Sequence, residues 1–147
     1  MEIRAMAEGD IPQLAALYRE FWNEDSDVGK MRVQFRKMID SGSYILLSAL
    51  EDGRLVSSVT GIVCEELYGE CRPFLVAENM IVNSGHRGKG IGAALMAELE
   101  QRAVAKGCGQ ILLVTDTVRL DARGFYAALG FAPDTHTGFK KKLKRHE

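Results

Sequence analysis

The chain has 147 residues, a length that predicts one domain, residues 1–147, with a single hydrophobic core. Its 19 Lys and Arg nearly balance 20 Asp and Glu, and no apolar run is long enough to span a bilayer, so neither nucleic acid nor a membrane is expected as a partner. Three cysteines without metal-ligand spacing predict no metal site and favour a cytoplasmic location.

The N-terminal part of the chain predicts a strand followed by two amphipathic helices. Residues 2–6 form the strand, and Asp10 is placed to cap the first helix with its side chain. The apolar positions of that helix recur at helical spacing: Ile11, Leu14, Leu17, Tyr18 and Phe21. The second helix has an apolar set of the same kind: Val28, Met31, Phe35, Met38 and Ile39.

The middle of the chain predicts antiparallel strands. Residues 43–51 and 55–65 form a hairpin around Asp52-Gly53, and residues 73–82 form a fourth strand. A helix from residue 91 follows, with one apolar face: Ile91, Leu95, Leu99 and Ala103.

The C-terminal part predicts a buried strand at residues 110–115, a short helix at 121–129 that ends before Gly130, and a last strand at 138–144. The fold class expected from all these elements is α+β, with a mixed, mostly antiparallel sheet flanked by helices.

The most informative motif is Arg87-Gly88-Lys89-Gly90-Ile91-Gly92, which joins the apolar run Met80-Ile81-Val82 to the helix. A strand, a glycine-rich turn and a helix place free backbone N–H groups at a helix N-terminus, where anions are favoured. Arg87 and Lys89 add positive charge, so the segment predicts a pyrophosphate-binding loop. It lies too late in the chain for a Rossmann fingerprint, and a P-loop would need Ser or Thr after Lys89.

This loop resembles Arg/Gln-x-x-Gly-x-Gly/Ala, the pyrophosphate loop of the GNAT superfamily of N-acetyltransferases. A second segment, Ala122-Arg123-Gly124-Phe125-Tyr126-Ala127-Ala128-Leu129-Gly130-Phe131, resembles that family's A-x-x-F-Y-x-x-x-G-F motif. The resemblance covers residues 73–131. It implies the GNAT-like acyl-CoA N-acyltransferase fold and an enzyme that transfers an acetyl group from acetyl-CoA to an amine acceptor by direct attack in a ternary complex.

Three points stay open at this stage. The chain could instead be a non-catalytic acetyl-CoA-binding regulator, or a protein that uses the loop for another pyrophosphate. Members of the family commonly form homodimers, and no sequence feature decides the oligomeric state. The acceptor is also undetermined: the acidic and aromatic segment 21–27 suits the rim of a site for a cationic amine, or equally a polar inter-helix loop with capping duties.

Two residues are implied to transfer protons. Tyr126 stands at the position of the family's general acid, and a phenol of pKa about 10 is a usable donor to a thiolate; the alternative is a core aromatic. Glu78 stands where several members have a general base acting through water, and a carboxylate within an apolar strand is costly unless it is paired or functional. The alternative is a solvent-facing Glu78 with Asn79 turned inward.

The resemblance also implies a set of contacts to acetyl-CoA. The strand before the loop would pair with the pantetheine arm, and a backbone N–H near Val82 would stabilise the oxyanion. Arg119 stands where many members have Asn. The expected contact is lost or replaced by Thr115, while Arg119 reaches a phosphate or an acidic substrate group, or stays solvated. The full set expected to bind the cofactor is Met80, Ile81, Val82, Arg87, Gly88, Lys89, Gly90, Ile91, Gly92, Thr115, Arg119 and Phe125.

Overall fold

The structure is a computed structural model that describes residues 1–144. The chain divides into two compact units, residues 1–113 and 114–147. The interpretation of residues 1–147 as a single domain stays a prediction.

The first unit contains a five-stranded sheet in the order β1-β2-β3-β4-β5. The first three pairings are antiparallel and the β4–β5 pairing is parallel, which confirms the predicted mixed, mostly antiparallel sheet. The elements are β1 Glu2–Ala5, α1 Ile11–Trp22, α2 Val28–Ser41, β2 Tyr44–Glu51, β3 Arg54–Cys64, β4 Phe74–Val82, α3 Ile91–Ala105 and β5 Ile111–Leu112, with short 3-10 turns at Glu8–Asp10 and Ser84–His86.

Helix α3 packs against one face of this sheet. Leu95 and Leu99 are fully buried, and a Cβ built on Gly61 of β3 would lie 2.8 Å from Leu99 Cδ1, which places the helix directly on the strand. The predicted buried face of α3 is confirmed, since all its members have relative exposures of at most 3 %: Ile91, Leu95, Leu99 and Ala103. Each fully buried leucine contributes about 1.5–3 kcal/mol.

Helices α1 and α2 cover the other face. A second core cluster consists of Met6, Ile11, Leu14, Leu46 and Leu55. The predicted apolar stripe of α2 packs against it through Val28, Met31, Phe35 and Met38. Ile39 was expected to share this stripe but is 48 % exposed, because it lies one residue, about 100° of helical rotation, beyond Met38.

The predicted capping role of the Asp10 side chain is wrong. Asp10 occupies the N-cap position of α1, but its carboxylate makes no bond to the helix. It accepts two hydrogen bonds from the Arg4 guanidinium (2.7 and 2.9 Å), one from the Ala7 N–H (2.9 Å) and one from the Ser48 hydroxyl (3.1 Å). Asp10 is only 4 % exposed, and the bonds from Arg4 hold its pKa below the usual range. A buried carboxylate needs such partners, and the arginine of β1 supplies them better than the helix amides do.

The second unit contains α4, Leu120–Ala128, followed by Leu129 and by Gly130, whose N–H bonds to the carbonyl of Ala127. Its one buried residue within the described range 114–144 is Ala122.

Two predicted strands differ from the structure. The strand expected at 110–115 is reduced to Ile111–Leu112, and Val114 is 72 % exposed rather than buried. The strand expected at 138–144 is absent from the described residues, and Phe139 is 94 % exposed. Apolar residues alone do not make a segment a strand, because a strand also needs a neighbour to which its backbone is hydrogen-bonded. In the last segment, four lysines within residues 140–144 also favour exposure to solvent. No helix among residues 1–144 is long and apolar enough to cross a membrane.

Candidate active site

The loop after β4 adopts a backbone that glycine favours. Gly88 and Gly90 have φ values of +74° and +78°, in the left-handed region that L side chains rarely adopt. Gly90 is the N-cap residue of α3, and the carbonyl of Gly90 receives the N–H of Ala94 at 3.0 Å, where the hydrogen-bond ladder of the helix begins. The three N–H groups before Ala94 therefore lie ahead of that ladder, at the positive end of the helix dipole, as a pyrophosphate site requires.

Positive charge lies on both sides of Gly88. Arg87 and Lys89 are exposed, and Arg87 Nε donates to the Val82 carbonyl at 3.2 Å. This bond ties the guanidinium to the last residue of β4, so one cation is fixed beside the loop. We call residues Arg87–Gly92 the cradle.

Strand β4 carries an irregularity shortly before the cradle. Glu78 pairs with Thr60 and Ile81 with Ser58, so Asn79 and Met80 together lie opposite the single residue 59 of β3. Asn79 has φ +53°, which marks a β-bulge.

The outer edge of β4 is open beyond this point. Strand β5 pairs with β4 only at Leu75 and Val76, so in the described part of the chain no strand adds to that edge from Ala77 onward. On the inner side the Ser57 hydroxyl donates to the Ile81 carbonyl at 2.7 Å. The edge from Ala77 to Val82 therefore offers backbone groups to an extended ligand with amides of its own.

Glu78 is exposed on β4. Because the carboxylate is exposed to solvent, it does not pay the cost of burial that was expected for a charged residue in an apolar strand. Its role as general base stays a prediction. Asn79, also exposed, hydrogen-bonds through its side chain to Tyr18 of α1, whose pKa is raised by burial.

Tyr126 lies in the second unit, on α4. Its ring meets Phe125 edge-on at 5.1 Å between centroids and Phe131 at 5.8 Å. Burial raises the pKa of the phenol, and the charge of Arg119 partly offsets that rise. A raised pKa keeps the proton on the phenol, which is the state a general acid needs. Thr115 is half-buried in the segment that leads to α4, and the backbone N–H of Arg119 donates to the Asp116 carbonyl at 3.0 Å.

The structure therefore distributes the predicted site residues over the two units. Glu78, Met80, Ile81, Val82 and the cradle lie in the first unit, and Thr115, Arg119, Phe125 and Tyr126 lie in the second.

The acidic residues in the segment between α1 and α2 make local contacts, a helix cap and an ion pair. Asp27 caps α2 by accepting from the Lys30 N–H at 3.0 Å, and Asp25 pairs with Arg19 at 3.3 Å. Trp22 remains 43 % exposed and contacts Tyr18, with the ring centroids 5.1 Å apart and the ring planes inclined at 55°.

The left-handed glycines before α3 and the bulged, open-edged strand β4 fit the acetyltransferase that the sequence motifs predict. The chain belongs to the acetyltransferase (GNAT) family, whose model matches residues 11–131. The resemblance on the two sequence motifs is thereby confirmed, and with it the enzyme class and the fold.

Similar proteins agree with this membership. The L-methionine sulfoximine/L-methionine sulfone acetyltransferase of Pseudomonas aeruginosa is 26 % identical, over 88 % of this chain and 78 % of its own. A solved structure from Agrobacterium tumefaciens assigned to the acetyltransferases superposes with a TM-score of 0.89 at 25 % identity, covering 97 % of this chain and all of the other. A Bacillus halodurans structure described as a transcriptional regulator has a TM-score of 0.86 at 27 % identity, covering 97 % and 99 %.

Proposed function

We propose that this protein transfers the acetyl group of acetyl-CoA to a primary amine of a small molecule or protein, by direct attack in a ternary complex. The observation that carries the proposal is the cradle, where Gly88 and Gly90 shape the backbone ahead of α3 and Arg87 is fixed at the end of β4. The three cysteines among residues 1–144 are free thiols, which supports the cytoplasm as the proposed location.

The chemistry divides among few groups. Bound acetyl-CoA supplies an already activated acetyl group, so the chain needs no nucleophile of its own. The cradle binds the pyrophosphate, and the open edge of β4 orients the pantetheine amides beside Ile81 and Val82. In this proposal the amine nitrogen bonds to the acetyl carbon as the carbon–sulfur bond breaks. Glu78 takes the amine proton through water, and Tyr126 gives its proton to the thiolate.

The acceptor is proposed to be a small amine. The Pseudomonas aeruginosa relative, which this chain matches over 88 % of its length, is named for acetylating amino-acid derivatives. The exposed face of Trp22 and the exposed carboxylate of Glu78 suit a cationic amine, since an aromatic face attracts cations and a carboxylate can accept their protons.

The test is a calorimetric titration with acetyl-CoA of the wild type, Gly90→Asp and Gly42→Asp. We expect Gly90→Asp to weaken binding about 100-fold or more, since a left-handed side chain costs about 1–2 kcal/mol and its carboxylate also repels the phosphates. Gly42 lies after α2 at φ +71° with open space around a built Cβ, as at Gly90. The control Gly42→Asp thus carries the same backbone strain away from the cradle and should bind like the wild type.

Two outcomes would refute the assignment of the cradle: no binding by the wild type, or equal binding by Gly90→Asp. Turnover is then measured as release of free CoA thiol with a panel of amines, and competition with ATP and NAD checks that neither displaces acetyl-CoA.

A second candidate is a regulator that binds acetyl-CoA without acetylating anything. The description of the Bacillus halodurans structure as a transcriptional regulator, at 27 % identity over 97 % of this chain, favours keeping it. Acetyl-CoA binding without thiol release for any amine in the panel would support the regulator, and release with one amine would exclude it.

A further inference from the structure

The turn Asn83–His86 lies between β4 and the cradle and is held by side chains from two distant elements. Glu20, near the end of α1, accepts a hydrogen bond from Asn83 Nδ2 at 2.7 Å through one carboxylate oxygen. Its other oxygen accepts the backbone N–H of Ser84 at 2.9 Å. The bond from Ser84 lowers the pKa of Glu20, which keeps the carboxylate charged.

The side chain of Asn83 also contacts two residues within the turn. Its Oδ1 accepts the Gly85 N–H at 3.1 Å and faces His86 Nδ1 at 2.8 Å. Because a backbone N–H can only donate, the atom facing Gly85 is the amide oxygen, and Nδ1 of His86 must carry the proton of the second contact.

The other ring nitrogen of His86 reaches β2. Nε2 lies 3.2 Å from a carboxylate oxygen of Glu51, the last residue of that strand. Both ring nitrogens thus face acceptors, and both contacts are hydrogen bonds only when the ring carries two protons. We call this set, Glu20, Asn83, Ser84, His86 and Glu51, the turn clamp.

The turn clamp ends where the cradle begins. His86 is followed directly by Arg87, whose guanidinium is bonded to Val82 and whose charge also acts on Glu20. The left-handed residues Gly88 and Gly90 come next and have no side chains to hold them in place. A loop of this kind binds more tightly if it is ordered before the ligand arrives, because the ordering entropy is not lost on binding.

We propose that Glu20 and Glu51 are positioning residues for acetyl-CoA, which act through the turn Asn83–His86 to keep the cradle in its phosphate-binding conformation. This inference rests on the proposed function of the cradle. Neither carboxylate touches the ligand in this proposal. Their loss changes the affinity for acetyl-CoA more than the rate of the chemical step.

Charge alone would have the opposite effect. Two carboxylates close to a pyrophosphate site repel the ligand, so removing one would tighten binding if the groups acted only through their charge. A positioning role predicts weaker binding when the same charge is removed. The sign of the change in KM therefore separates the two roles.

The test compares Glu20→Gln and Glu51→Gln with Glu100→Gln, an identical change of charge on the exposed side of α3. We expect Glu20→Gln to weaken the binding of acetyl-CoA in calorimetry about five- to tenfold, the effect of one charged hydrogen bond. For any amine that is acetylated, KM for acetyl-CoA should rise by the same factor, with kcat within about twofold. Glu51→Gln, whose single contact to the turn is longer, at 3.2 Å, should raise KM about two- to threefold. Glu100→Gln should leave both constants unchanged.

A double-mutant cycle with Asn83→Ala provides the second readout. Glu20→Gln and Asn83→Ala should together raise KM by less than the product of the two single changes, since both break the Glu20–Asn83 contact. Additive effects, or a KM for Glu20→Gln at or below that of the wild type, overturn the proposal. A wild type that does not bind acetyl-CoA overturns both this inference and the proposed function, whereas normal wild-type binding with unchanged variants overturns this inference alone.

Discussion

Helices α3 and α4 each carry half of the predicted chemistry, and they are built differently. Helix α3 has 15 residues, six of them buried, and the groups it offers to a ligand are backbone amides at its N-terminus. Helix α4 has nine residues with Ala122 buried, and the group it offers is the side chain of Tyr126 between two aromatic rings. In the proposed function, binding therefore depends on main-chain conformation in the first unit, and acid catalysis depends on one phenol in the second.

This difference predicts that substitutions in the two units will affect different measurements. Buried polar groups such as Asp10 should affect the free energy of unfolding, because they tie strands and helices of the first unit together. Tyr126 should affect turnover with little effect on stability.

The largest effect is expected from Asp10→Asn. The change removes the charge that accepts two hydrogen bonds from Arg4, and Glu2 at 3.5 Å remains as the carboxylate beside that guanidinium. Losing charged hydrogen bonds at a buried carboxylate costs about 3 kcal/mol. Urea denaturation at neutral pH measures the free energy of unfolding. Asp134→Asn, an exposed change in the second unit, is the control and should stay within about 0.5 kcal/mol of the wild type. Equal stabilities for the two variants would contradict the view that the first unit depends on this buried bridge.

The same carboxylate should govern part of the acid sensitivity. Since the folded pKa of Asp10 is lowered, its contribution is present above the unfolded pKa of about 3.9 and is lost as pH falls through the lower folded value. The urea midpoint of the wild type should therefore fall more steeply below about pH 4 than that of Asp10→Asn.

Tyr126→Phe tests the other side of the comparison. Loss of a general acid typically costs about 100-fold or more in kcat, while the ring packing against Phe125 and Phe131 is retained. Calorimetry should give an unchanged affinity for acetyl-CoA. Tyr68→Phe, at a tyrosine that is 75 % exposed, is the control for removal of a hydroxyl. Full turnover by Tyr126→Phe would eliminate the acid role and leave the residue as a packing aromatic.

The smallest effect is expected on the exposed side of α3. Arg102 donates to Glu98 at 2.8 Å one helical turn away. Surface pairs of this spacing contribute about 0.3–0.5 kcal/mol, so Glu98→Gln should change the free energy of unfolding by no more than that and leave acetyl-CoA binding intact. A change above about 1 kcal/mol would show that Glu98 contributes more to the free energy of unfolding than a surface ion pair does.

The sequence predicted local features better than distant ones. The cradle and the buried face of α3 could be predicted because their residues are neighbours in the chain or repeat at helical spacing. The turn clamp was missed, since Glu20 and Asn83 lie 63 positions apart and neither belongs to a motif. Only the short Asn83-Ser84-Gly85 segment gave a local signal, because asparagine before such residues favours a turn closed by its own side chain.

The errors have related causes. Asp10 was assigned to its own helix because capping is a local rule, whereas its actual partners, Arg4 and Ser48, come from two strands of the sheet. The strand at 110–115 was predicted from its apolar residues, but its length is set by the pairing with β4, which involves only Ile111 and Leu112. The same limit applies to Glu78, for which the sequence left a functional and a solvent-facing position open, because the bulge that follows it was not predicted.

The bulge of β4 also has a consequence for insertions and deletions. Before it, Ala77 pairs with Gly61, whose face is covered by α3; after it, Ile81 pairs with Ser58, which lies on the α1 face. The extra residue thus reverses the alternation of side chains between the two faces of the sheet. Deleting Met80 would restore a regular ladder in which Asn79 lies opposite residue 59 and Ile81 stays opposite Ser58, so the residues beyond the bulge keep their faces. A one-residue deletion in β4 outside the bulge would instead shift the pairing by one residue and turn the displaced side chains to the other face. The bulge is therefore the place in β4 where the loss of one residue should disturb the sheet least.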